Sequence, residues 1–327
     1  MKRQWIIRAT LAVLAVACTF GASPSFAQPF PSKPIRLVVA FPPGGATDIT
    51  ARAIAPKTSE LLGQQLIVEN VGGATGLIGS QKVAKAEPDG YTILLMITGG
   101  HLIRSILEKN LPFDPIRDFT PITHLTESVF AIAAHPSAGP KSMQDLIDQA
   151  RRNPGKLAYG TAGLGSETHM LMEKIGQMIQ GRMMVVPYKG GGPAIVDLVG
   201  GQIPLVIQPI GPFMSNVRAG KLRILAVMTD KRWVGLPDVP TVREFLPAFT
   251  KPEGGSGIWG PAGMAPEIAT RLQTAISGAL HSPEVEKRLG ALGAPVVGST
   301  PEKFAQDLKN GLVLYRDLVK AAGVKPR

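Results

Sequence analysis

Ile35-Arg36-Leu37-Val38-Val39-Ala40-Phe41 runs straight into Pro42-Pro43-Gly44-Gly45-Ala46-Thr47-Asp48. A short apolar run, a proline–glycine turn and a helical stretch over residues 47–62 read as a buried strand feeding a helix. The same unit recurs downstream. Residues 66–70 form a strand candidate, Gly72-Gly73-Ala74-Thr75-Gly76 a glycine-rich turn, and 77–85 a helix. Pro88-Asp89-Gly90 then turns the chain into a third strand at 92–97. Residues 142–153 read as a helix opened by a hydroxyl cap and ended by Pro154-Gly155. Strands at 156–160, 184–187, 205–208 and 222–228 are separated by helices, among them 166–178 and 193–199. Such alternation predicts an α/β fold with parallel, helix-covered sheets. The tail is helical over 266–280, 283–292 and 301–322, each opening with a proline where its missing N–H is harmless.

The first residues have a different character. Lys2, Arg3 and Arg8 precede an apolar run at 9–20 and the small-residue ending Ser25-Phe26-Ala27. This is the order of a cleavable export signal, and the apolar run is shorter than the roughly 20 residues that cross a bilayer. Residues 1–27 are therefore expected to be removed, leaving Gln28 first. Cys18, the only cysteine, falls in that leader, and Ala15 stands where a lipidation signal would want leucine. The mature chain then has no disulfide, no thiolate metal site and no cysteine nucleophile. Its length suggests two domains. Losing three cations lowers the formal charge from +11 to +8, and a basic surface favours anionic partners. The basic residues are scattered and the aromatics few, so nucleic acid is not an expected partner.

Ligands of open α/β sheets bind beyond the carboxyl ends of strands. The loops there are residues 41–48, 98–101, 160–169 and 188–193, each rich in Gly or Ser/Thr and each leading into a helix. Glycine admits a ligand to backbone N–H groups, and helix starts carry unpaired donors and partial positive charge. Carboxylates or phosphates suit such loops without any arginine. An ordinary strand-to-helix turn has the same composition; four together favour a pocket. No Walker loop, G-x-S-x-G elbow or H-E-x-x-H is present, and Ala74-x-Gly76-x-x-Gly79 is a degenerate echo of the dinucleotide fingerprint. No cofactor and no metal are expected. His101 and His169 each read either as an anion contact or as a helix-start residue packed on its own turn. Asp48 reads either as a ligand contact or as a first-turn acid stabilising its own helix. The extended run 119–134 has the length to cross between lobes, and Ser256 to Pro261 to carry the chain back.

The strings Pro31-Ser32-Lys33-Pro34-Ile35-Arg36 and Phe41 to Asp48 resemble the opening of the Bug family, the periplasmic solute-binding components of tripartite tricarboxylate transporters. Pro88-Asp89-Gly90-Tyr91-Thr92, Tyr159-Gly160-Thr161-Ala162-Gly163, Val186-Pro187-Tyr188-Lys189-Gly190 and Leu236-Pro237-Asp238-Val239-Pro240-Thr241 continue the likeness in order. The resemblance implies a two-lobed type II periplasmic binding protein fold with a two-segment hinge. Residues 28–125 and 253–327 would form the first lobe and 126–252 the second. It implies a monomeric, non-catalytic periplasmic protein that passes a small carboxylate to integral-membrane permease subunits. Carried onto this chain, the family's first contact loop is Phe41, Gly44, Gly45, Ala46, Thr47 and Asp48, and its second Thr98, Gly99 and His101. Thr161, Ala162, Gly163, Ser166 and His169 match the opposing loop, flanked by Tyr188 and Gly190. One departure stands out. Relatives resemble a V-D-L-M-F-D pattern where this chain has Ile203-Pro204-Leu205-Val206-Ile207-Gln208, so an acid able to meet an ammonium group is replaced by the Gln208 amide. The expected ligand is a carboxylate without an amine. A sensory protein docking on a receptor and a secreted α/β hydrolase are the competing readings.

Overall fold

The computed structural model describes residues 30–326; the expected leader, Cys18 and the cleavage point after Ala27 lie outside them. The first half runs β1 (Ile35–Val39), α1 (Ala46–Leu62), β2 (Leu66–Asn70), α2 (Leu77–Ala84), β3 (Thr92–Ile97), α3 (Thr98–Leu107), β4 (Phe119–Glu127) and β5 (Phe130–Ala134). Then come α4 (Met143–Arg152), β6 (Ala158–Thr161), α5 (Glu167–Met178), β7 (Met184–Pro187), α6 (Gly191–Val199), β8 (Leu205–Pro209), α7 (Met214–Arg218) and β9 (Arg223–Val227). The chain ends with β10 (Gly255–Pro261), α8 (Pro266–Leu280), α9 (Pro283–Gly290) and α10 (Pro301–Ala321).

Two five-stranded sheets result, ordered β2-β1-β3-β10-β4 and β7-β6-β8-β5-β9. In the first, β1 pairs parallel with β2 and β3, setting Leu37 opposite both Val68 and Ile93. In the second, β6 pairs parallel with β7 and β8. The expectation of wholly parallel sheets needs correction, because each sheet is mixed. β10 runs antiparallel to β3 and β4, and β5 antiparallel to β8 and β9. These are the strands that follow the passages between sheets. A helical crossover forces parallel pairing within one sheet, and a strand arriving from the other lobe escapes that constraint. The extended run 119–134 is thus β4 and β5, in different sheets.

Every residue of β5, β8 and β10 is buried, whereas β2 and β7, at the sheet edges, are half exposed. β10 is rich in glycine because its neighbours leave no room. A Cβ on Gly257 would stand 2.4 Å from the Phe304 ring, and one on Gly255 1.8 Å from the Thr126 carbonyl. One apolar cluster joins Val38, Leu94 and Trp259 of the first sheet to Tyr159, Leu205 and Leu225 of the second. The closing helix α10 contributes Phe304, Tyr315 and Leu318 to it and packs on α3, β4 and α5.

Candidate functional site

The first loop is braced from within. Gly44 takes φ +81, a conformation glycine adopts freely, and its N–H donates to Asp48 Oδ2 at 3.0 Å. Asp48 Oδ1 accepts from Arg52 Nε at 2.9 Å and from Asn70 Nδ2 at 3.0 Å. Asn70 also donates to the Phe41 carbonyl. Asp48 therefore ties the loop to α1 and β2, the first-turn role, and both its oxygens are engaged. Gly45 caps α1 in extended conformation without a side-chain bond. Phe41 and Thr47 are buried.

The second contact segment is helical rather than looped, since Thr98, Gly99 and His101 form the first turn of α3. Thr98 is buried and its Oγ1 has no hydrogen-bond partner in the protein. A Cβ on Gly99 would lie 2.3 Å from Glu167 Oε2 and 2.6 Å from the Tyr315 hydroxyl. Of the two readings of His101, anion contact or packed helix-start residue, the structure favours packing. Its ring, 1% exposed, packs on Phe113, Phe119 and Trp259 at centroid distances of 5.9, 4.9 and 5.0 Å. Its Nε2 donates to the Pro115 carbonyl at 3.1 Å. Burial lowers its pKa to about 4, so at neutral pH the ring carries no charge for an anion.

The opposing loop is held by hydroxyls. Thr161 Oγ1 lies 2.9 Å from Ser166 Oγ and 2.6 Å from Thr168 Oγ1. Ser166 caps α5 by accepting the His169 N–H, and the Ala162 N–H donates to Thr168 Oγ1. His169 Nδ1 accepts the Gly165 N–H at 3.2 Å, so this ring locks its own turn. Tyr188 donates to Asp197 Oδ2 at 2.8 Å; burial and that carboxylate push its phenol up to about 12. Gln208 is 2% exposed, its Nε2 has no partner in the protein, and its Oε1 would lie 1.9 Å from a Cβ on Gly191.

The two lobes meet through these loops. A Cβ on Gly190 would stand 2.7 Å from the Pro42 ring, and one on Gly192 2.4 Å from the Pro43 carbonyl. Because the loops pack on one another, the expected residues divide among separate spaces. Ala46 and Thr47 border an interior cavity of about 20 Å³, with Thr126 and Ser256 of the crossing strands and Pro209 and Gly211 of the second sheet. That volume is the room of about one water. Gly163 and Tyr188 face an outer groove of about 360 Å³ shared with Thr75, Arg104 and Lys189. Thr98 borders a third space beside Tyr315.

Glu167 had no place in the sequence reading. It is 2% exposed, accepts from the Tyr315 hydroxyl at 3.1 Å, and burial raises its pKa to about 7 against the opposing pull of Lys251 and Tyr315. Its local signal, an acid in a first helical turn, also describes many solvated residues. Among the described residues, no three His, Cys, Asp or Glu side chains gather as a metal site.

Residues 50–323 match the family described as tripartite tricarboxylate transporter family receptor. This chain belongs to that family. Protein BugT of Bordetella pertussis is 33% identical over 319 residues, covering 96% of this chain and 98% of BugT. The periplasmic binding protein BugD is 32% identical, with a TM-score of 0.86 over 91% of this chain and all of that one. A Rhodopseudomonas palustris protein solved with adipate is also 32% identical, at a TM-score of 0.87 over 91% of this chain and 100% of its own. The chain is accordingly a Bug-type solute-binding protein with the two-lobed α/β fold of periplasmic binding proteins, and not an enzyme.

Proposed function

We propose that this protein captures a small carboxylate lacking an amine between its two lobes in the periplasm and delivers it to the permease of a tripartite tricarboxylate-type transporter. The observation that supports this most is that glycine- and hydroxyl-rich helix starts from both lobes meet along one seam, with Gly190 and Gly192 against Pro42 and Pro43, and Gly99 against Glu167. Backbone donors and helix-start dipoles serve a carboxylate well. The family match and the adipate held by a structural neighbour point the same way. Thr98 Oγ1 in the first lobe and Gln208 Nε2 in the second are buried donors without protein partners, and both suit an oxygen-rich ligand. A neutral amide in place of an acid removes the negative charge that would balance an ammonium group. On this reading residues 1–27 are the export leader, and the lobes pivot near residues 126 and 253.

The test is thermal shift of the secreted protein against adipate, malate, citrate, benzoate and a set of amino acids. A bound acid at a hundred times its dissociation constant adds roughly 2.7 kcal/mol of stability, a clear rise in melting temperature. An amino acid as the tightest ligand would overturn the amine-free assignment. No shift with any acid, together with no acid in native mass spectra of the purified protein, would overturn the carboxylate reading.

A further inference from the structure

Thr75, in the turn between β2 and α2, takes φ 55 and ψ 41, and its neighbour Ala74 has φ 45. A β-branched residue in the left-handed region is a costly outlier, and glycine would sit there freely. The surrounding turn already contains Gly72, Gly73 and Gly76, so a threonine here stands out chemically. Such a conformation persists only where the surroundings impose it. Arg104 of α3 does so: its Nη2 donates to the carbonyls of Ala74 and of Thr75, the latter at 3.1 Å. Arg104 is in turn paired with Glu108.

The propped turn directs the Thr75 hydroxyl at the second lobe. Oγ1 lies 3.5 Å from the Leu164 carbonyl, at the outer limit of a hydrogen bond. A Cβ on Gly163 would stand 2.5 Å from it, so the missing side chain at Gly163 is what lets the hydroxyl approach. Gly163 and Leu164 lie in the loop that opens α5, on the opposite sheet.

We propose that Thr75 is a clasp residue, bridging the lobes across the outer groove and stabilising their closed arrangement. It joins residues of separate sheets, so it forms only when the lobes meet. Whatever free energy it supplies goes to the closed form alone, which is the condition for shifting a two-state equilibrium. Backbone strain in the turn is the local cost, and the interlobe contact is what offsets it. The clasp goes beyond the carboxylate reading and depends only on the two lobes.

Small-angle X-ray scattering of the purified protein tests this with Thr75→Gly and Thr75→Ser. Glycine removes the hydroxyl and relaxes the turn, whereas serine keeps the hydroxyl. Losing one net hydrogen bond lowers the closed-to-open ratio roughly threefold to tenfold. Thr75→Gly should then show a larger radius of gyration with no loss of melting temperature, because relief of strain offsets the added freedom of the unfolded chain. Thr75→Ser should superimpose on the parent. Superimposable scattering of Thr75→Gly and parent overturns the clasp, as does equal expansion in both variants. No solute is added, so failure of every acid to bind would count against the carboxylate reading without touching this result.

Discussion

His101 and Glu167 are both buried, yet they shift in opposite directions. For His101, folded near 4 against an ordinary 6.5, the unfolded chain takes up a proton that the native ring refuses. Stability is lost through this group as pH falls from 6.5 towards 4. For Glu167, folded near 7 against an ordinary 4.5, the native carboxyl keeps a proton that the unfolded chain releases. Stability through this group is full below 4.5 and is lost as pH rises towards 7. The two windows overlap and the effects oppose, so the parent protein should show a flat profile between pH 5 and 7. Glu167→Gln removes one side of the balance. Relative to the parent, its stability at pH 8 compared with pH 5 should rise by something on the order of 3 kcal/mol, read by urea unfolding at both values. A variant profile identical to the parent's would mean that Glu167 does not titrate in this window. Sequence alone left His101 and His169 open between ligand contact and local packing. Burial among Phe113, Phe119 and Trp259 decided the first, and the Gly165 N–H accounts for one nitrogen of the second.

At the scale of elements, the start of α3 carries a test of close packing. Helix propensity alone favours alanine over glycine by about 1 kcal/mol, so Gly99→Ala would be expected to stabilise α3. The structure predicts the opposite, because the new methyl would lie 2.3 Å from Glu167 Oε2 and 2.6 Å from the Tyr315 hydroxyl. Overpacking of this kind costs roughly 1–3 kcal/mol, which outweighs propensity. Urea unfolding should show Gly99→Ala destabilised, and adding Glu167→Ala should return part of the loss. A stabilised single variant would show that α5 and α10 yield readily here. Strand-to-helix units were legible because each strand is a short apolar run closed by a glycine-rich turn, as at Val39 to Gly45. The direction of β5 and β10 was not, because an apolar or glycine-rich run carries no mark of which way its partners run.

For the whole molecule, the decisive quantity is the small interior cavity. At about 20 Å³ it has room for about one water, far too little for a dicarboxylate, so a solute held there, as proposed above, would enter only with the lobes parted. A Thr75→Cys, Leu164→Cys pair in the secreted protein, joined by a short cleavable cross-linker, should lose uptake of whichever acid shifts the melting temperature. Cleaving the linker should restore it. Unimpaired uptake while cross-linked would place the entry route elsewhere. The sequence by itself determined the α/β alternation, the glycine- and hydroxyl-rich loops and, through ordered motifs such as Phe41 to Asp48, the solute-binding family. These are local properties, written in periodicity, turn chemistry and short strings. Only the tertiary structure decided that Asp48 braces its own loop, that Glu167 meets Tyr315, and that Thr75 reaches Gly163 and Leu164. The last two pairs are brought together across the two lobes, and a contact between residues 148 positions apart, as for Glu167 and Tyr315, leaves no periodic trace along the chain.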